Sequence, residues 1–214
     1  MRKSLILTAL LFVPYCVFAQ FSLGVRANPF FGNGNGVTGN PDNSYELYGF
    51  IPFPKIGGIF KYKLHKNFAV HTEINYNVTG FSYEVEGPSF SLEYIEIPLL
   101  FQVNGKTRFR GFAEAGIAPK FLFEAKHYLS HAHDYNENSY DAKNYFNPFM
   151  LTANIGAGLM LDVWRFTLFA GIRGGYDIIP IGKNIYDVNN VKWAFDNMRF
   201  FHLELLLFGV MYNF

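Results

Sequence analysis

The stretch FMLTANIGAGLMLDV, residues 149–163, decides the fold. Phe149, Leu151, Ala153, Ile155, Ala157, Leu159 and Leu161 fall on one parity, and Thr152, Asn154, Gly156, Gly158 and Asp162 on the other. A period of two is the geometry of a β-strand, in which successive side chains point to opposite faces. One face of this strand is continuously apolar, and the other is small, polar or charged.

The same pattern recurs on both sides. Near 21–31, Phe21, Leu23, Val25 and Ala27 oppose Ser22, Gly24, Arg26 and Asn28. Near 68–83, Phe68, Val70, Ile74, Tyr76 and Val78 oppose His71, Glu73, Asn75, Asn77 and Thr79. Further segments near 55–64, 92–104, 109–123, 166–177 and 199–213 bring the expected number of strands to eight, separated by Gly, Asn, Pro and Asp clusters. The connections alternate in length. His65-Lys66-Asn67, the run from Asn104 to Arg108 and the turn at Trp164-Arg165 are short; 32–54, 84–91, 124–148 and 178–198 are long. Bacterial transmembrane barrels have tight periplasmic turns and longer outer loops, and an even strand number leaves both termini on the periplasmic side. The expected fold is therefore all-β, an eight-stranded antiparallel up-and-down transmembrane β-barrel of the outer membrane.

A soluble barrel of the lipocalin type also alternates, but its solvent face should be rich in Lys and Glu. Here the polar face is mostly Gly, Asn, Thr and Ser, which suits a narrow lumen. Tyr62, Phe68, Tyr76, Phe109, Phe149, Phe166, Tyr176 and Tyr212 lie near strand ends, where rings favour the headgroup level of a bilayer. Composition agrees: 50% hydrophobic, 19% aromatic and only 16% charged, against about a quarter charged in a soluble domain. The net charge of +1 offers no argument for nucleic acid or for an acidic substrate.

Residues 1–19 read as a cleaved secretory signal, because Arg2 and Lys3 precede an apolar run from Leu5 to Val13 and the exit Val17-Phe18-Ala19. The barrel domain is then 20–214. A lipid anchor on Cys16 fits poorly, since Val13-Pro14-Tyr15 is bulky where such a site needs small residues. Cys16 is the one cysteine, so the mature chain would hold none and could use no disulfide, thiolate or cysteine-metal chemistry.

The chain ends Leu207-Phe208-Gly209-Val210-Met211-Tyr212-Asn213-Phe214, which resembles the terminal signal that the barrel-insertion machinery reads. Glu93-Tyr94-Ile95-Glu96-Ile97-Pro98-Leu99-Leu100, followed by Phe112-Ala113-Glu114-Ala115-Gly116, resembles the PorT-like family of small outer-membrane barrels. The resemblance implies fold and location; the protein-export role of PorT itself is not carried over. On the fourth strand Ile95, Ile97, Leu99 and Phe101 should face lipid, with Tyr94, Glu96, Pro98 and Gln102 inward, because a carboxylate on the lipid face is costly. Pro98 lacks a ladder donor, so a bulge or irregular pairing is expected there. In the last strand His202 and Glu204 share a parity with Val210, Tyr212 and Phe214, which cannot all be satisfied in one register. A bulge or register break is expected near Leu206 to Gly209.

Parity collects Arg26, Lys61, Lys63, Glu73, Glu96, Arg110, Glu114, Lys120, Arg173 and Asp177 on the inner face. An eight-stranded barrel is just wide enough for side chains to fill, so a core plugged by ion pairs is expected, with a narrow charged conduit as the rival. Three other constellations have simpler explanations. His127, His131 and His133, with Asp134, could hold zinc or copper, but the same loop is crowded with Tyr and Asn as an external loop would be. His202, Glu204 and Ser82 could belong to a lipid-modifying enzyme, but no Gly-x-Ser-x-Gly motif is present. Gly32, Gly34, Gly36 and Gly39 are interleaved with Asn and lack the Lys-Ser or Lys-Thr of a phosphate loop. No catalytic, cofactor or metal residue is assigned, and the chain is expected not to be an enzyme. Its expected partners are outer-membrane lipid, the insertion machinery, and a protein partner met through the outer loops or periplasmic turns, with no nucleic acid. Its expected role is structural or interactive through its outer loops, with a PorT-like export component, and a narrow solute channel or lipid-modifying outer-membrane enzyme, as alternatives.

Overall fold

The computed structural model describes residues 20–29, 48–51, 54–82, 89–128, 139–183, 185–188, 191–194, 199 and 201–214. The signal reading at 1–19, the glycines Gly32 to Gly39, and His131, His133 and Asp134 lie outside the described residues. The strands are β1 (Phe21–Pro29), β2 (Tyr48–Ile51), β3 (Pro54–Lys63), β4 (Phe68–Ser82), β5 (Ser89–Glu96), β6 (Leu99–Asn104), β7 (Phe109–Tyr128), β8 (Ser139–Asp141), β9 (Phe149–Val163), β10 (Phe166–Asp177), β11 (Ile185–Val188), β12 (Val191–Ala194) and β13 (Phe201–Asn213).

Eight staves close into a ring of antiparallel pairs. Going round, they are β1, β3, β4, the collinear β5 and β6, β7, β9, β10 and β13, which returns to β1 through Ser22↔Asn213 to Ala27↔Phe208. Each stave pairs with its neighbour along the chain. The turns at 64–67, 105–108 and 164–165 and both chain ends of the barrel lie at one end; the long connections lie at the other.

The two faces follow from the alternation. Ile155 is 70% exposed and Asn154 beside it 7%; on β1, Val25 and Leu23 are exposed while Ser22, Arg26 and Asn28 are buried. The exterior rings form girdles. At the short-turn end Phe21 meets Tyr62 (5.6 Å), Phe68 meets Phe101 (5.8 Å) and Tyr212 meets Phe166 (5.5 Å) and Phe214 (5.1 Å). Nearer the other end Phe121 meets Phe149 (5.5 Å). Trp164, the first residue of the tight β9–β10 turn, has φ 56°, a left-handed conformation rare for a large side chain.

The irregularities fall close to where the alternation fails. Pro98 interrupts the fourth stave between Glu96 and Leu99. The pairing with β4 and β7 nonetheless runs on in the same register, from Asn75↔Glu96 to Thr72↔Leu99 and from Glu96↔Lys120 to Leu99↔Ile117. The expected irregular pairing is therefore a local gap without a slip, because the Pro98 carbonyl still accepts from Glu73 N–H (3.1 Å) and Ile97 N–H still donates to Pro119 (2.9 Å). The shift on this stave lies higher, between Glu93 and Tyr94, opposite Glu124 and Leu122. Phe123 is the extra residue, and beyond it the inward parity of β7 changes from Leu122 to Ala125 and His127. On β13 the register shifts between Leu207 and Glu204, which puts the break at 205–206, at the upper edge of the expected region. Glu204 and Met211 are thereby both inside, with Phe208 and Phe214 outside.

The connections hold more structure than their composition predicts. β7 continues to Tyr128 rather than stopping at 123, with β8 added on its outer end. β2 adds to the outer end of β4, and β11 and β12 form a hairpin within the last long connection. About 9–11 residues suffice for a strand to cross a bilayer. The 20 residues of β7 therefore carry it beyond the hydrocarbon at the long-loop end.

Glycine on the inner face has a packing role. A Cβ on Gly209 would lie 2.2 Å from the Phe169 ring, and one on Gly158 would lie 2.6 Å from Phe112. Each ring occupies the space that a side chain on the neighbouring stave would need. Gly209→Ala is expected to displace Phe169 and destabilise the barrel by about 1–3 kcal/mol, the usual range for overpacking; an unfolding midpoint in detergent unchanged from that of the parent would refute this packing.

Candidate functional site

The lumen is filled in layers. Below the long-loop end, Phe90, Leu92, Tyr94, Leu122, Ala125 and Met150 of the staves pack with Ala142, Phe146 and Ile181 of the connections, which fold over the mouth. Asn147 pins this cap through its side-chain N–H to the Pro180 carbonyl (2.7 Å) and its backbone N–H to Ile181 (2.7 Å). Toward the short-turn end Ile59, Phe112, Met160, Phe169, Leu207 and Met211 form a second apolar layer.

From beneath the upper layer and on past the second, to Lys61 beside the mouth, runs a continuous chain of buried charges. Lys55 bridges Glu96 and Glu204, at 2.6 Å each. Glu204 also accepts from Asn28 (2.7 Å) and from Arg26, whose other guanidinium nitrogen donates to Glu73. Arg173 donates to both oxygens of Glu73 (2.9 Å each) and through Nε to Glu114 (2.8 Å). Glu114 accepts from Gln102 (3.1 Å), which accepts from Lys61. This one chain draws side chains from seven of the eight staves. The eighth, β9, places the Met160 sulfur 3.9 Å from the Lys61 ammonium and joins a second group in which Asp177 accepts from Thr152 (2.7 Å) and Lys120 (3.2 Å), with His202 3.0 Å from the Lys120 ammonium. Four carboxylates face four cations in the long chain, so burial is compensated by neutrality and hydrogen bonding together. The space left around Lys61, His71 and Arg173 is about 10 Å³, room for about one water.

Of the ten inner-face charges expected from parity, eight are buried in these two networks. Lys63 and Arg110 instead sit at the short-turn mouth, Lys63 half-buried and Arg110 paired with Asp162. Asp162 also accepts from Thr167 (2.7 Å). Lys55, near the start of its stave, shares the parity of Lys61 and Lys63 and is buried with the inner-face set. His202 and Glu204, the candidate enzyme pair, are both engaged in the lumen, and Ser82 lies on β4, with β3 and β1 between it and β13. His127 points inward at the top of β7 and stacks on Phe90 (4.9 Å). Among the described residues no group of three metal-ligating side chains converges.

A closed antiparallel ring with an apolar, aromatic-girdled exterior and a filled interior defines a transmembrane barrel. The chain belongs to the outer membrane protein beta-barrel domain family, whose model matches residues 18–178, and its location is the outer membrane. Similar solved structures are the outer membrane protein AlkL in lipid bilayers (14% identity, 91% of this chain and 90% of that one, TM-score 0.50), OprG of Pseudomonas aeruginosa (11%, 90% and 95%, 0.49) and the Neisserial surface protein NspA (16%, 91% and 97%, 0.47). At that identity the AlkL likeness speaks to the fold alone. No curated protein matches the chain in sequence.

Proposed function

We propose that this protein is a non-conducting barrel that acts through its surfaces, with its outer connections forming the contact face for something outside the cell. The observation that carries the reading is the filled lumen: two apolar layers and a neutral ion chain occupy it, and the space left beside Lys61, His71 and Arg173 is about 10 Å³. The outer end supports it too, since β2, β8 and the extended β7 prolong the sheet above the membrane as a platform for the connections. Catalysis is not part of this reading. His202 and Glu204 serve the lumen network.

The stretch that resembles PorT-like barrels is used by the barrel itself. Tyr94 packs under the cap, Glu96 holds Lys55, and Leu99 faces lipid. It therefore supports a shared architecture and adds no separate argument for export. Planar-bilayer recording tests the proposal: the refolded protein should give no stable unitary current, and a reproducible conductance step would overturn it.

A further inference from the structure

The short-turn end carries a charge that the whole-chain balance hides. Lys61, Lys63, Lys66, Lys106, Arg108, Arg110 and Arg165 lie on its three turns and the strand ends beside them, with Asp162 the one acidic side chain there. The rest of the chain has 11 Lys and Arg against 16 Asp and Glu, so the excess is confined to this end. Asp162 is already held by Arg110 and Thr167. Among the described residues Lys63, Lys66 and Lys106 form no ion pair.

These lysines surround a cavity of about 680 Å³ at the barrel mouth, lined also by Lys61, His65, Arg110 and Asp162, whose carboxylate is already taken up by Arg110 and Thr167. That volume is the size of a small-molecule site. The position matters as much as the charge. Lys61 and Arg110 are inward-facing stave residues, so the cup opens along the barrel axis; Arg165 instead donates to the Tyr212 hydroxyl (2.8 Å) and lies 5.6 Å over the Trp164 ring, in the exterior girdle. Lysine ammoniums are mobile point charges that bind phosphate without demanding one planar geometry. Concave walls of low dielectric concentrate the field of such a set.

We propose that this cup binds a phosphate-bearing anion on the periplasmic side, gripped by Lys63, Lys66 and Lys106 with Lys61 and Arg110 as its floor. The phosphate could belong to a soluble polyanion or to a phospholipid headgroup, and the test separates them. Calorimetry with tripolyphosphate on the barrel refolded in a non-ionic maltoside detergent, at low salt, should show one saturable site. Lys63→Gln/Lys66→Gln/Lys106→Gln should weaken it at least tenfold, while Arg108→Gln/Arg165→Gln, outside the cup, should change it less than twofold. Heat-modifiable mobility on gels confirms that both variants are folded. Absence of saturable heat with the parent protein, or equal loss in the two variants, would overturn the proposal. In nanodiscs, binding that survives replacement of a third of the phosphatidylcholine by phosphatidylglycerol assigns the cup to a soluble phosphate. Binding abolished by that replacement assigns it to the headgroup.

Discussion

Glu73→Gln is expected to lower the unfolding free energy of the barrel by about 3–5 kcal/mol, the usual cost of removing one partner from a buried ion pair. Glu73 is the hub of the lumen: it receives Arg26 on one oxygen, Arg173 on both, and Asn75 at 2.9 Å, with His71 at 3.3 Å. Glutamine keeps the shape but removes the charge. Two guanidiniums then share only Glu204 and Glu114, and the amide must turn one N–H toward a donor. Urea titration in detergent, followed by tryptophan fluorescence, measures the loss. Lys126→Gln gives the contrast, since Lys126 pairs with Glu124 at 3.1 Å in full view of water. Exposed pairs contribute little, and its midpoint should match the parent. If the two variants behaved alike, the lumen chain would not be a major source of stability.

Ile155→Arg tests the other face. Ile155 lies near the middle of β9 and is 70% exposed. On a soluble barrel an exposed position tolerates such a change within about 0.5 kcal/mol. At the midplane of a bilayer an arginine on the lipid face costs about 2–4 kcal/mol. Reversible folding into vesicles of the parent and variant should therefore differ by that amount, and the difference should shrink toward zero for Val163→Arg at the girdle. Equal penalties at the two depths would contradict the membrane-spanning arrangement of β9.

Much of this architecture is legible from alternation because the cost of a misplaced charge is so large. Glu73, Glu96, Glu114 and Arg173 could be put inside on parity alone, and the conflict within 202–214 located a register break to within a residue. Phe112 and Phe169 are placements that alternation alone does not predict. A large ring on the inner parity is admissible only if the adjacent stave offers bare backbone, and Gly158 and Gly209 lie 46 and 40 residues away in sequence. The extra residue Phe123 is a second case: a bulge and a strand end both appear in sequence as lost alternation, and only the ladder distinguishes them. The charged mouth is invisible in composition for another reason. Net charge sums over the chain, whereas the fold sorts it by end.

The seam between β1 and β13 joins residues 191 positions apart, as in Ser22 with Asn213. Its consequence is temporal. Contacts of such separation form late, since the whole intervening chain must be ordered first. Glu204 arrives with that last stave, so until docking Arg26 and Lys55 lack one of their carboxylates. The final zippering step therefore completes the hydrogen-bond ladder and discharges the interior in a single event, giving assembly a firm endpoint and leaving a chain without β13 as an open, cationic sheet.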